Sequence, residues 1–234
     1  MGVLLVAGAG EGLGRSIALR FAREGYRVAL AARDAAKLRA LAAEVGGAAF
    51  PADLSVEADV ASLFERVETE LGPIDAVAFV AATRIVGAFT DISFADFEAA
   101  WRQGCANGFL VAREAARRML PRGRGTVLFT GNSGSLRGTR QQAAFAAAKG
   151  ALRYMAQSMA RELGPRGIHV ATVILDGAID SKMMWRDYRS RMEALGADGA
   201  LSPDAVAETY WQLHCQPRNA WTFEVDLRPW SQTF

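Results

Sequence analysis

The stretch "VLLVAGAGEGLGRSIA", residues 3–18, runs five apolar residues straight into a glycine-rich turn and from there into a helical pattern. It reads as strand, turn and helix. Glycines at 8, 12 and 14 permit a tight turn and a close approach of the backbone to a ligand. The helix that follows offers unpaired N–H groups and the positive end of its dipole, a combination suited to a pyrophosphate. The spacing is G-x-x-x-G-x-G. Gly10 lets G-x-G-x-x-G be tried from Gly8, but the third glycine of that pattern would fall on Leu13.

Outward from this stretch, short apolar runs alternate with longer helical ones. "RVALAA" at 27–32, "DAVAFVAA" at 75–82, "TVLFTG" at 126–131 and "HVATVIL" at 169–175 read as strands, with "AAF" at 48–50 a weaker one. Periodic stretches at 13–24, 35–45, 56–71 and 94–120 lie between them. Continuous apolar strands separated by helices predict a parallel sheet covered on both faces, that is, an α/β doubly wound Rossmann fold. Ser93 with Asp96 three residues later, and Ser202 before Pro203, mark helix starts. No repeat or linker divides the chain, so residues 1–234 are expected to form one domain. From 178 to 200 the pattern loosens into mixed apolar and charged residues, which predicts a mobile lid over a site.

Composition narrows the function classes. Of 234 residues, 51% are hydrophobic and 22% charged, and the net charge is +2 with no run of like charge. Such a balance gives no support to nucleic-acid or membrane-surface binding. No apolar run reaches the roughly 18 residues of a membrane span, and the opening segment has no basic n-region. Val6 stands where a myristoylation motif needs Ser or Thr. Cys105 and Cys215 lack metal or redox spacing, and His169 and His214 are isolated in the sequence, so no metal site is expected. A reducing cytoplasm is the expected location.

The glycine spacing, Asp53-Leu54 after the third strand, Asp75 at the fourth, and "FAAAKGALRYMAQSMARELGPRGIHVATVILDG" at 145–177 together resemble the short-chain dehydrogenase/reductase family across most of the chain. The resemblance implies nicotinamide dinucleotide binding and hydride transfer to or from a carbonyl or alcohol. It places cofactor contacts at Gly8, Gly12, Leu13, Gly14, Arg15, Arg33, Asp53, Leu54, Ala81, Lys149, Gly177 and Ile179, with Asp53-Leu54 near the adenine. An acidic residue at the end of the second strand accepts from the ribose 2′-OH of NAD, whereas arginine accommodates the 2′-phosphate of NADP. Ala32 stands at that position, with Arg33 beside it and Arg15 in the glycine-rich turn, so NADP(H) is favoured. Asp34, one position late, is expected to be solvated or to begin the next helix.

At the chemical end the resemblance implies a tyrosine acid/base, a lysine that lowers its pKa, a serine that polarises the oxygen, and an asparagine relay. Lys149 matches the lysine, and Phe145 falls at the tyrosine position. The lysine match is informative because only three of the 27 basic residues are lysine. The serine falls at Asn132 or Ser133, with Ser135 a further candidate, and the asparagine at Gly104, with Asn107 one turn later. The family's N-N-A-G is "FVAA" at 79–82 here, its P-G is Asp176-Gly177, and "WTFEVDLRPW" at 221–230 replaces its glycine-rich ending. Asp176 is either a substituted acid or a turn cap. Ser133, Ser135, Asp176 and Tyr188 are candidate proton donors, while Tyr154, nine residues from Phe145, lies on the opposite helix face.

Two functions follow. One is an NADP(H)-dependent oxidoreductase with an altered site, acting on a small carbonyl or alcohol. The other is an inactive NADP(H)-binding sensor or partner subunit. Alanines at 143, 144, 146, 147 and 148 allow close helix approach and suggest a homo-dimer or homo-tetramer.

Overall fold

The computed structural model describes residues 2–81 and 85–233. Seven strands form one parallel sheet: β1 (Val3–Ala7), β2 (Arg27–Ala32), β3 (Ala48–Pro51), β4 (Ala76–Phe79), β5 (Gly125–Asn132), β6 (Ile168–Leu175) and β7 (Glu224–Leu227), in the order β3-β2-β1-β4-β5-β6-β7. β1 and β6 are buried along their whole length, as strands covered on both faces are, and β6 buries His169 and Thr172 among its apolar residues.

The described helices are α1 (Leu13–Arg23), α2 (Ala35–Val45), α3 (Glu57–Leu71), α4 (Phe94–Trp101), α5 (Asn107–Met119), α6 (Ala143–Leu163), α7 (Lys182–Asp187), α8 (Arg189–Leu195) and α9 (Pro203–His214). Alternation of side chains along each strand feeds two cores. Leu5, Val77 and Phe129 meet α3, α5 and α6 on one face, while Leu4, Ala78 and Leu128 meet α1, α2 and α9 on the other.

Chain order reverses between β1 and β4: β2 and β3 extend the sheet one way, and β5 to β7 the other. Ala7 of β1 pairs in register with Phe79 of β4, so the chain leaves both strands at the same carboxyl edge. Such a switch point opens a crevice where ligands bind in open α/β sheets. The opposite edge is structural. There Asp75 accepts the Val3 N–H at 3.2 Å, tying β1 to β4. His214 bridges Tyr26 and Thr126, and both histidines line one cavity of about 390 Å³. Distant in sequence, they are close in space; no metal-ligand cluster occurs among the described residues.

Caps match the sequence. Ser93 and Ser202 accept from Asp96 N and Ala205 N, and Asp34 begins α2 by accepting from the N–H groups of Ala36 and Lys37. Four elements differ from expectation. The stretch 94–120 is interrupted by one π-helical turn over Arg102–Ala106, where Gly104 lies so close to α6 that an added Cβ would stand 2.9 Å from the Ala148 Cβ. Strand β4 ends at Phe79, before the expected 82; Ala82 lies outside the described residues. The stretch 178–200 holds two short helices, α7 and α8, and 224–227 forms the edge strand β7. No described helix is long and apolar enough to cross a membrane.

Candidate active site

The glycine-rich turn joins β1 to α1 at the switch point. Gly8 adopts φ +88, and an added Cβ would sit 2.6 Å from the backbone nitrogen of Ala81, so only glycine lets the loops after β1 and β4 meet. Gly10 faces open space, and a Cβ on Gly12 would meet nothing nearer than the Ser181 Cβ at 3.9 Å. Gly12 caps α1 without a side-chain hydrogen bond, and the first turn carries no acidic residue. The result is an open, unshielded helix N-terminus, which fits a dinucleotide pyrophosphate. Leu13 and Gly14 are buried beneath it.

Arg33 is exposed at the end of β2 and makes no ion pair within the described residues. Arg15 is engaged: its Nε donates to Glu44 at 2.7 Å, which holds the Glu44 carboxyl below its usual pKa. Asp53 turns its carboxylate onto the Ser55 N–H and hydroxyl, which lower its pKa, and Leu54 is buried.

At the other end of the crevice, α6 lies over β5. Phe145 and Lys149, one turn apart, are 8% and 3% exposed, whereas Tyr154 is 66% exposed. The Lys149 ammonium donates to the main-chain carbonyl of Thr130 at 2.7 Å, and burial pushes its pKa down to about 8. Thr130 also bonds through its hydroxyl to the buried phenol of Tyr210 at 2.6 Å. β5 ends in a 3-10 turn over Ser133–Ser135. The hydroxyl of Ser135 accepts the Asn132 N–H, so Ser135 is turned onto its own loop while Ser133 is half-buried. Asn107 is buried within α5.

β6 lies beside β5 with Leu175 opposite Asn132, which brings Asp176 next to that turn. Asp176 is 2% exposed, and its carboxylate receives Arg137 Nη2 at 2.9 and 3.2 Å. Sequence reasoning missed Arg137; no motif marks it, and the contact exists only once β5 and β6 are in register. The structure therefore gathers Ser133, Ser135, Phe145, Lys149 and Asp176 at one carboxyl edge, with the glycine turn and Ala81 at the switch point of the same edge. Tyr188 is exposed, between α7 and α8.

Residues 178–200 rest beside the crevice. An isolated bridge pairs Ile179 with Leu201, and Leu201 N–H donates to the Ala178 carbonyl at 2.7 Å, closing a stem. Beyond it Ala178, Met184 and Met192 form a small cluster separate from the two main cores. Lys182 approaches Glu11 of the glycine turn at 3.5 Å.

Comparison with known proteins agrees with this geometry. Residues 2–192 match the short chain dehydrogenase family. A short-chain dehydrogenase/reductase of Armillaria gallica is 36% identical over 176 residues, covering 72% of this chain and 67% of that protein. The 3-oxoacyl-[acyl-carrier-protein] reductase of Rattus norvegicus is 32% identical over 183 residues, 77% of either chain. A solved short-chain dehydrogenase from Rhodopseudomonas palustris superposes with a TM-score of 0.82 at 36% identity, covering 98% of this chain and 99% of that one. Actinorhodin polyketide ketoreductase, solved with NADPH, shares the fold at a TM-score of 0.89 and 23% identity, covering 97% and 96%. On its glycine turn, its sheet order and these matches, the chain belongs to the short-chain dehydrogenase family of oxidoreductases.

Proposed function

We propose that the protein is an NADP(H)-dependent oxidoreductase acting on a small carbonyl or alcohol, with a site in which Phe145 stands where a tyrosine acid would be. The observation that carries this reading is Lys149: a buried ammonium, fixed over the end of β5, at the same sheet edge as the open glycine turn. The Thr130 carbonyl takes one of the three ammonium donors, and the hydroxyls of a cofactor ribose would supply acceptors for the others.

The turn around Gly8, Gly12, Leu13 and Gly14 would hold the pyrophosphate, and Arg33 the 2′-phosphate. Asp53, Leu54, Ala81, Gly177 and Ile179 would line the remainder, and Arg15 would join only by leaving Glu44. When bound, the reduced nicotinamide supplies a hydride. Ser133 would donate a hydrogen bond to the substrate oxygen, and Lys149 would hold the ribose. Ser135 is the weaker candidate because it is buried and turned onto its own loop, where it accepts the Asn132 N–H, and Asp176, paired with Arg137, is an acceptor rather than an acid.

The stem at Ile179–Leu201 supports residues 178–200 as a lid, since it fixes both ends of a segment with its own small core. Exposed Phe94, Phe97, Trp101 and Phe109 on α4 and α5 support a homo-dimer or homo-tetramer. Of the alanines on α6, Ala144 and Ala148 are buried inside the subunit, which leaves Ala147 exposed. A cytoplasmic location fits two cysteines that form no disulfide.

The test is to mix protein with NADPH and a panel of aldehydes and ketones and to follow nicotinamide absorbance. Turnover that depends on Lys149 is the expected result. Tight NADPH binding without turnover would instead indicate the sensor or partner subunit, and failure to bind either dinucleotide would overturn both readings.

A further inference from the structure

The geometry points to Arg137 as the group that binds and polarises the substrate oxygen, with Asp176 as its positioning residue. This rests on the oxidoreductase reading above, which gives the substrate oxygen a neutral donor in Ser133 but no charged partner where Phe145 carries no hydroxyl.

Arg137 follows the Ser133–Ser135 turn and donates its own N–H to the Ser133 carbonyl at 3.0 Å, so its backbone is fixed at the carboxyl edge of β5. Asp176 begins where β6 ends, and its N–H is fixed by the Leu227 carbonyl of β7 at 2.8 Å. A carboxylate that is 2% exposed needs a cation, and Arg137 is that cation. Both contacts to Asp176 come from Nη2. Nε and Nη1 make no hydrogen bond within the described residues, and the side chain is 44% exposed. One edge of the guanidinium is thus anchored while its other donors remain available. Of the other polar groups at this edge, the Lys149 ammonium is held against the Thr130 carbonyl and the Ser133 and Ser135 hydroxyls are neutral donors, so Arg137 is the exposed cation there.

A guanidinium stays protonated throughout the working pH range, so Arg137 acts as an electrophile and not as an acid. With a reduced nicotinamide bound, hydride delivered to the carbonyl carbon would move the C=O π pair onto oxygen, and Arg137 would hold the resulting alkoxide. That oxygen then takes a proton from water, leaving hydroxide to the buffer. A fixed donor aimed at developing charge is a recognised source of rate in such steps.

The experiment uses benzoate, whose carboxylate stands in for the alkoxide, titrated calorimetrically into the protein with and without NADP+. Arg137→Gln retains an N–H for Asp176 but removes the charge. We expect benzoate affinity, titrated well below each variant's melting temperature, to fall about 10-fold or more in Arg137→Gln, which also loses stability by leaving Asp176 without its cation, and to recover in part in Arg137→Lys. Asp176→Asn should weaken benzoate binding without changing NADP+ affinity. Where a ketone of the panel is turned over, kcat should fall about 100-fold in Arg137→Gln with the KM for NADPH unchanged. Benzoate affinity unaltered in Arg137→Gln, or no benzoate binding by the wild type, overturns the proposal. Benzoate binding that depends on Arg137 in a protein that reduces no carbonyl supports the oxygen site and overturns the oxidoreductase reading instead.

Discussion

Lys149 of α6 donates its ammonium to the Thr130 carbonyl of β5 at 2.7 Å, in a place where the side chain is 3% exposed. Burial lowers its pKa from 10.5 to about 8, so the folded protein releases that proton more readily than the unfolded chain does. Below about 8 both states are charged, and the fold bears the full burial penalty. As pH rises from about 8 to 10.5 the unfolded state binds the extra proton, and stability rises. Lys149→Met removes this slope. Urea unfolding of both proteins across that range should show wild type gaining on the variant as pH increases; parallel curves would mean that the lysine titrates as an ordinary solvated amine.

Phe145 lies one turn before Lys149 on the same buried face. A hydroxyl added there would enter a region already holding a buried ammonium, the arrangement that lowers a phenol pKa toward working range. Phe145→Tyr should therefore raise carbonyl reduction, by about 10-fold or more given the 10² to 10⁴ that a placed general acid contributes. Steady-state NADPH oxidation by the two proteins on one ketone measures it. A flat response would show that the oxygen no longer lies within reach of position 145.

Legibility from sequence was uneven for physical reasons. β1, the glycine turn and α1 were readable because a buried strand, a glycine-rich turn and an amphipathic helix each leave a local pattern, and here they are consecutive. β7 was not, because "EVDL" is an edge strand, partly exposed along its length, and carries no continuous apolar run. The π turn at Arg102–Ala106 adds residues without disturbing helical periodicity enough to be noticed, although Gly104, pressed against Ala148, hints at a tight crossing. Arg137 and Asp176 are 39 residues apart and meet through strand register, which no local pattern encodes. Lys149 and Phe145 were identified by resemblance, and their burial was in the alanine-rich face around them.

Gly8 and Gly12 separate folding from binding. At Gly8, φ is +88 and an added methyl meets Ala81 at 2.6 Å, so Gly8→Ala should destabilise the fold by about 1–3 kcal/mol. Gly12 has open space around its missing Cβ, so Gly12→Ala should leave stability within about 0.5 kcal/mol of wild type. Its methyl would nevertheless occupy the approach to the α1 N-terminus, and dinucleotide affinity should fall about 10-fold or more. Thermal unfolding and NADPH fluorescence titration on the same samples decide it. Undiminished binding by Gly12→Ala would place the pyrophosphate elsewhere.

Two arginines near the start of the crevice make different predictions about the nucleotide. Arg33 is exposed and without an ion pair in the described residues, whereas Arg15 is held by Glu44 at 2.7 Å. A 2′-phosphate pairs directly with a free guanidinium but must displace a carboxylate to reach an engaged one. Arg33→Gln should therefore weaken NADPH about 10-fold while leaving NADH unchanged, since NADH carries a hydroxyl at that place. Arg15→Gln should cost less, and Glu44→Gln, which frees Arg15, should tighten NADPH and lower the cost of losing Arg33. Dissociation constants for both dinucleotides across the three variants and the Arg33/Glu44 pair measure this coupling. Equal weakening of NADPH and NADH by Arg33→Gln would show that Arg33 senses the dinucleotide's shared phosphates, and the preference for NADP(H) would then be abandoned.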